Sequence, residues 1–185
     1  MGATARAGQA ETPRSRPAPG LRWLGLGAGA FIVEAAFIYG LATMPGGRQW
    51  LPFLLPTAHL LLLPFLLRNL SFWGIRLVLV GLLLNLTAML ANGGLMPVEA
   101  PAVEAVGRHE VSDLQIGAHI PGSKNVLLNP QDVRLRELSD ILVVPVPRPF
   151  TRAVSVGDLF VLAGVVIAFG EVVRRSEAWK REPSQ

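Results

Sequence analysis

Four long apolar stretches, Arg22–Met44, Gln49–Leu67, Phe72–Asn92 and Val154–Val173, take up almost half of this chain. Each approaches the ~20 residues with which an α-helix crosses the hydrocarbon core of a bilayer. In lipid every backbone N–H and C=O must be satisfied within the protein, and a helix does this inside one segment. The expectation is an all-α membrane protein with four transmembrane helices. A soluble domain with 51% hydrophobic residues would spread them at helix or strand period. Here they fall in blocks, such as Leu60–Leu67 and Leu77–Leu84, and the mean hydropathy is +0.44. The absence of cysteine excludes disulfides, thiol catalysis and Cys-type zinc sites.

The charges orient the spans. Arg6, Arg14, Arg16 and Arg22 precede the first, Arg68 and Arg76 flank the turn after the second, and Arg174, Arg175, Lys180 and Arg181 follow the fourth. With an even number of spans these three clusters share one side, the cytoplasmic side by the positive-inside rule. The net charge of +4 is thereby explained by the membrane rather than by nucleic acid, which is not expected as a partner. The roughly 60-residue connection 93–153 then lies outside, with six basic and seven acidic residues. Trp23, Trp50 and Trp73 sit at span ends, where aromatic belts form. The first span does not read as a signal peptide, since Glu34 interrupts it and no small-x-small cleavage site follows.

Five regions result: a disordered cytoplasmic N-terminus 1–20, three transmembrane helices within 22–92, an ordered external loop 93–153, a fourth helix 154–173 and a cytoplasmic tail 174–185. Gly25 and Gly29 offer a G-x-x-x-G face for close packing. Pro56 and Pro64 remove backbone hydrogen bonds and predict kinks in the second helix. Asn92-Gly93-Gly94 predicts the end of the third. In the loop, the pattern predicts a short helix in Pro97–Val106, a turn at Asn129–Asp132, an amphipathic helix over Val133–Leu142 and an extended run over Val143–Pro149. Asn125–Leu128 is too short to classify.

Ionisable and polar groups at membrane depth are costly, on the order of 3 kcal/mol for a charge, and are candidate sites for that reason. Glu34 and His59 fall near the middle of adjacent antiparallel spans. They pair either as a structural hydrogen bond or as a proton- or cation-handling couple. Asn85, with Thr87 nearby, lies past the middle of the third span and reads as interhelical glue before it reads as a ligand. Ser155 and Asp158 have the spacing of a capping box at the start of the fourth helix. His109, Glu110, Asp113 and His119 cluster in the loop, but at no spacing that suits zinc. No phosphate loop, dinucleotide fingerprint or hydrolase elbow is present. No catalytic residue, cofactor or metal is assigned.

Three runs stand out together: Gly81–Leu86 continuing into Ala91–Val98, Lys124 through Leu142, and Val154–Asp158. With them the chain resembles, over about residues 24–175, the bacterial family known as domain of unknown function 5317, small multispanning membrane proteins. The resemblance supports the membrane reading and the outer loop and implies no reaction, cofactor or partner. It directs attention to Asn85, Asn92, Gly93, Gly94, Met96, Pro97, Ser155, Gly157 and Asp158, whereas Glu34 and His59 belong to none of its motifs. Asn92 and Asp158 are expected to meet at the outer ends of the third and fourth helices.

The function expected from these features is that of an accessory or scaffold protein in the bacterial cytoplasmic membrane. Its partners would be the lipid bilayer and other membrane proteins. An ion-coupled transporter acting as an oligomer through Glu34 is the first alternative. The second is a membrane enzyme acting on lipid at the outer face through Asn92 and Asp158.

Overall fold

A computed structural model describes residues 20–41, 44–106, 115–120, 123–144 and 151–181. Its chain runs α1 (Leu24–Tyr39), α2 (Leu51–Arg68), α3 (Trp73–Ala91), β1 (Met96–Val98), α4 (Ala100–Ala105), β2 (Asn125–Leu127), β3 (Leu142–Val144), β4 (Arg152–Val154) and α5 (Val156–Arg181). Three helices are long and apolar enough to cross a membrane: Gly47–Arg68, which joins a 3-10 turn to α2, then Trp73–Ala91 and Val156–Arg181. The first apolar stretch yields a shorter helix of 16 residues. At 1.5 Å per residue it is about 24 Å long, against a hydrocarbon core of about 30 Å.

Packing follows the chain order: α1 on α2, α2 on α3, α3 on α5. Each pair is antiparallel. Phe37 and Ile38 near the end of α1 pack on Leu51 and Leu55 at the start of α2, in one apolar cluster with Ala88 and Met89 of α3. At the other end Phe65, Leu66, Phe72, Ile75 and Ala168 form a second cluster. The helix α2 runs unbroken through Pro56 and Pro64. Pro56 has no N–H for the carbonyl of Pro52, and that carbonyl faces Gly94, where a Cβ would collide with it.

The tightest contact joins α3 and α5. Gly74 and Gly81 on α3 face Gly164, Ala168 and Gly157 on α5, two turns apart on each helix. A Cβ on Gly74 or Gly81 would strike the α5 backbone, and one on Gly164 would lie 2.6 Å from the carbonyl of Gly74. Without side chains between them the backbones approach closely, which is how helices gain dispersion energy where lipid supplies no hydrophobic drive. The expected Gly25 and Gly29 do not do this, since neither would meet any atom within 4 Å. Gly27 instead packs on the ring of Phe65, 3.0 Å from an added Cβ.

The connection between α3 and α5 is folded. β1 and β2 pair in parallel, Met96 beside Asn125 and Val98 beside Leu127. β3 and β4 pair antiparallel, Leu142 beside Val154 and Val144 beside Arg152. Val98, Ala102, Val103, Ile120 and Leu127 form a small core under these strands. The short helix expected in Pro97–Val106 is α4, preceded by β1. The turn at Asn129–Asp132 is present, closed by the Asp132 N–H on the Asn129 carbonyl at 2.9 Å. The amphipathic helix expected over Val133–Leu142 is not formed. Leu135 takes a left-handed φ of 54°, a 3-10 turn covers Arg136–Leu138, and Leu142 is in β3. Tertiary bonds outcompete the helical period there. Arg136 makes a two-pronged ion pair with buried Glu99 at 2.5 and 2.9 Å, and the Asp140 N–H donates to the Pro97 carbonyl at 3.2 Å. Val143 and Val144 are extended as expected. Residues 145–150, the expected disordered tract before Gly20, and His109, Glu110 and Asp113 lie outside the described residues.

Candidate functional site

The polar residues of three segments converge where α3 meets the start of α5. The β4 strand delivers Ser155 to the N-terminus of α5, and the capping box expected from the sequence is formed in both directions. The Asp158 N–H donates to Ser155 Oγ at 2.9 Å, and the Ser155 N–H donates to Asp158 Oδ2 at 3.3 Å. These bonds satisfy donors that the first turn of a helix leaves open. The negative carboxylate also lies at the positive end of the helix dipole.

Asn85 on α3 completes the junction. Its Nδ2 donates to Asp158 Oδ1 at 2.6 Å, and its Oδ1 accepts from the fully buried Ser155 hydroxyl at 2.7 Å. Gly157 is what lets Asn85 in, because a Cβ there would overlap Asn85 Oδ1. Lys124, on the turn before β2, reaches across and donates to both carboxylate oxygens of Asp158, at 2.9 and 3.1 Å. Both side chains are mostly covered, at 18% exposure for Lys124 and 29% for Asp158. One carboxylate thus caps a helix, binds the neighbouring helix and holds the loop.

Asp140 is a second carboxylate whose charge acts on Lys124. It is 2% exposed, and its Oδ2 accepts from Asn125 Nδ2 at 2.7 Å. Its Oδ1 has no hydrogen-bond partner among the described residues. Burial pushes the Asp140 carboxyl up to about 6, against the pull of Lys124, and the charge of Asp158 pushes the same way as burial. For Lys124, burial alone lowers the ammonium pKa. The fields of Asp140 and Asp158 outweigh it, with a smaller contribution from Glu34, and hold the group above the ordinary lysine value.

The other sequence candidates have separate places. Glu34 and His59 do come together, with His59 Nδ1 3.7 Å from Glu34 Oε1. The same ring nitrogen lies 3.0 Å from the Leu55 carbonyl, so it carries the proton and donates along its own helix. Asn92 does not join Asp158. Its Nδ2 donates to the carbonyls of Ala88 and Arg134 at 2.8 and 2.7 Å, and its Oδ1 accepts the Arg134 N–H at 2.9 Å. It therefore ends α3 and clamps the loop. Gly93 and Gly94 follow with φ of 78° and 92°, and the Gly94 N–H closes on the Met89 carbonyl at 2.7 Å. Thr87 turns to the Leu83 carbonyl. His119 Nε2 lies 2.7 Å from the Ser123 carbonyl, inside the loop core. Among the described residues no three His, Asp or Glu side chains lie close enough to hold a metal ion.

The model of one family, described as a family of unknown function (DUF5317), matches residues 20–169. The chain belongs to that family. Neither a curated protein nor a solved structure matches it. In this DUF5317 member, two of the three runs that carry the resemblance supply Asn85, Ser155 and Asp158 to one junction, and the run beginning at Lys124 supplies its counter-charge. Sequence reasoning passed over Lys124 and Asp140 as loop charges. The available signal was that both fall within that run, beside residues already singled out. Asn69 and Glu171 were also passed over. Asn69 binds both backbone groups of Arg22 at 2.7 Å. Glu171, from α5, accepts the N–H groups of Trp73 and Gly74 at 3.1 and 2.9 Å and so caps α3.

Proposed function

We propose that this protein is an accessory or scaffold component of the bacterial cytoplasmic membrane. In this reading it passes four times through the bilayer, with both termini cytoplasmic and the segment 93–153 on the opposite face. The observation that carries the reading is the hydrogen bonding of Asp158. Its two oxygens are taken up by Asn85, Lys124 and Ser155. A group so engaged fastens a helix pair to a folded loop and leaves no lone pair directed at a substrate. The faces turned away from the bundle are apolar, with Phe31, Ile32, Leu162, Val166 and Phe169 all more than 60% exposed. Such faces suit lipid or the spans of a partner protein. The short α1 fits a crossing in which Leu21 and Leu41 extend the apolar length and the bilayer thins locally, at a modest cost per ångström. Affinity purification of the full chain in mild detergent tests the assignment. A stoichiometric membrane-protein partner is expected, and purification with a retained small solute and no partner would overturn it.

The approach of His59 to Glu34 favours a second reading, an ion-coupled transporter that builds its pathway by oligomerising. In that case Glu34→Gln abolishes a pH-dependent flux in proteoliposomes while the protein still folds. In the scaffold reading Glu34→Gln leaves expression and thermal stability nearly unchanged, because shape and hydrogen bonding are kept.

A further inference from the structure

The opposite end of the bundle holds a concentration of arginines arranged around one turn. The turn Asn69–Phe72 joins α2 to α3. Arg76 Nε donates to the Leu70 carbonyl at 2.7 Å, and an Arg175 terminal nitrogen donates to the Ser71 carbonyl at 2.8 Å. Asn69 ties in the backbone of Arg22, and Arg68 precedes the turn. Three of the guanidinium groups lie over aromatic rings: Arg76 over Trp73 at 4.4 Å, Arg175 over Phe72 at 4.0 Å and Arg68 over Trp23 at 5.9 Å. Arg22, Arg68, Arg76, Arg174 and Arg175 are all exposed.

None of the five forms a salt bridge within the described residues. Glu171 is buried and both its oxygens accept N–H groups at the start of α3, and it feels the charges of Arg174 and Arg175 without a direct ion pair to either. Arg76 and Arg175 are thus held by carbonyls and rings and Arg68 by a ring, while all five side chains stay exposed and carry more positive charge than the single carboxylate Glu171 offsets. Guanidinium groups present forked donors that match a phosphate in two-point contacts. Trp23 and Trp73, 58% and 67% exposed, are the ring type that settles at headgroup level.

We propose that this arginine collar is a binding site for the phosphate of anionic lipid headgroups in the leaflet next to it. The proposal rests on the membrane reading above and adds a lipid preference to it. Clusters of basic side chains at the ends of transmembrane helices attract anionic lipid, each near-surface charge being worth about fivefold in affinity.

The test uses the full chain carrying Trp50→Phe and Trp179→Phe, reconstituted in vesicles, with Trp23 and Trp73 as reporters. Quenching is compared for brominated phosphatidylglycerol and brominated phosphatidylcholine. Phosphatidylglycerol is expected to be favoured at least fivefold, and Arg68→Gln/Arg76→Gln/Arg175→Gln should bring the ratio close to one. Replacing the same three by Lys should keep most of the preference. Because Arg76 and Arg175 also bond the turn, Arg68→Gln/Arg174→Gln is a second variant, in which no backbone hydrogen bond is lost and the ratio should fall severalfold. Equal quenching by the two lipids, or a preference unchanged in the glutamine variants, would overturn the proposal. So would loss of the preference in inorganic phosphate but not in chloride of equal ionic strength, which would make the ligand a free anion. No quenching by either lipid would instead overturn the membrane reading itself.

Discussion

Asp158 accepts from three different parts of the chain, and its loss should cost more than a helix cap. A missing cap is worth about 1 kcal/mol. Asp158→Ala also leaves Lys124 without its partner in a mostly covered place and frees the amide of Asn85. Allowing for the partial exposure of the pair, about 2–3 kcal/mol in all is expected. A double-mutant cycle with Lys124→Met, read by unfolding in detergent, should show strong coupling between the two. Strictly additive losses would mean that the pair contributes nothing. Asp140 makes the junction sensitive to pH. Its pKa rises from 3.8 to about 6 on folding, so folding takes up a proton between those values. The stability it contributes is complete below the unfolded pKa and is lost as pH rises through the folded one. Burial of His119 disfavours its charged form and acts in the opposite sense over part of that range, so the Asp140 share is read as a difference: melting temperature relative to Asp140→Asn should decline from about pH 4 to about pH 7. An identical pH profile in the variant would place the titration elsewhere.

Among the helices, the seam between α3 and α5 depends on glycine for space rather than for flexibility. Gly157→Ala drives a methyl group into Asn85, and Gly81→Ala drives one into the α5 backbone. Overpacking of this kind costs about 1–3 kcal/mol, and more where backbone must move. Gly25→Ala meets nothing within 4 Å and should be tolerated. Parallel thermal melts of the three variants check this ordering, which fails if Gly25→Ala is the most damaging. Asn69 and Asn92 show a second device shared by two helix ends. Each sits at the C-cap, returns its amide to the carbonyl four residues back and binds both backbone groups of a distant residue, Arg22 or Arg134. An asparagine side chain carries the same donor and acceptor as a peptide group. It can therefore end a helix and pair with an incoming chain together.

Across the molecule, the polar contacts divide between the two ends of the bundle, with Glu34 and His59 between them. One end carries the folded connection and the Asn85–Ser155–Asp158–Lys124 junction, the other the arginine collar and the Glu171 cap. In the proposed orientation, reporter fusions at Pro183 and within Asn69–Ser71 read cytoplasmic and one near Gly122 reads external, and a cytoplasmic signal at 122 overturns it. The same geometry separates two cysteine pairs in this cysteine-free chain. Cysteines at 92 and 134 should cross-link on oxidation, whereas 92 with 158 should not, since Asn92 contacts Arg134 and not Asp158.

The long apolar helices, the stop after Asn92, the capping box at Ser155 and Asp158 and the approach of Glu34 to His59 were all legible without coordinates. Each depends on local composition, on spacing within one turn or on depth along antiparallel neighbours, and these properties are carried by short stretches of chain. The loop was legible only in its turns. Its helical period over Val133–Leu142 gave way to the Glu99–Arg136 pair and to bonds from Asn92 and Pro97, partners at least 35 positions away. The choice of Gly74, Gly81, Gly157 and Gly164 over Gly25 and Gly29 likewise required knowing which helix faces which, because a glycine's space is defined by the atoms opposite it. For Lys124 the same holds. In sequence it is one loop charge among several, and it becomes the counter-ion of Asp158 only when the fold brings a turn 34 positions away onto the start of the last helix.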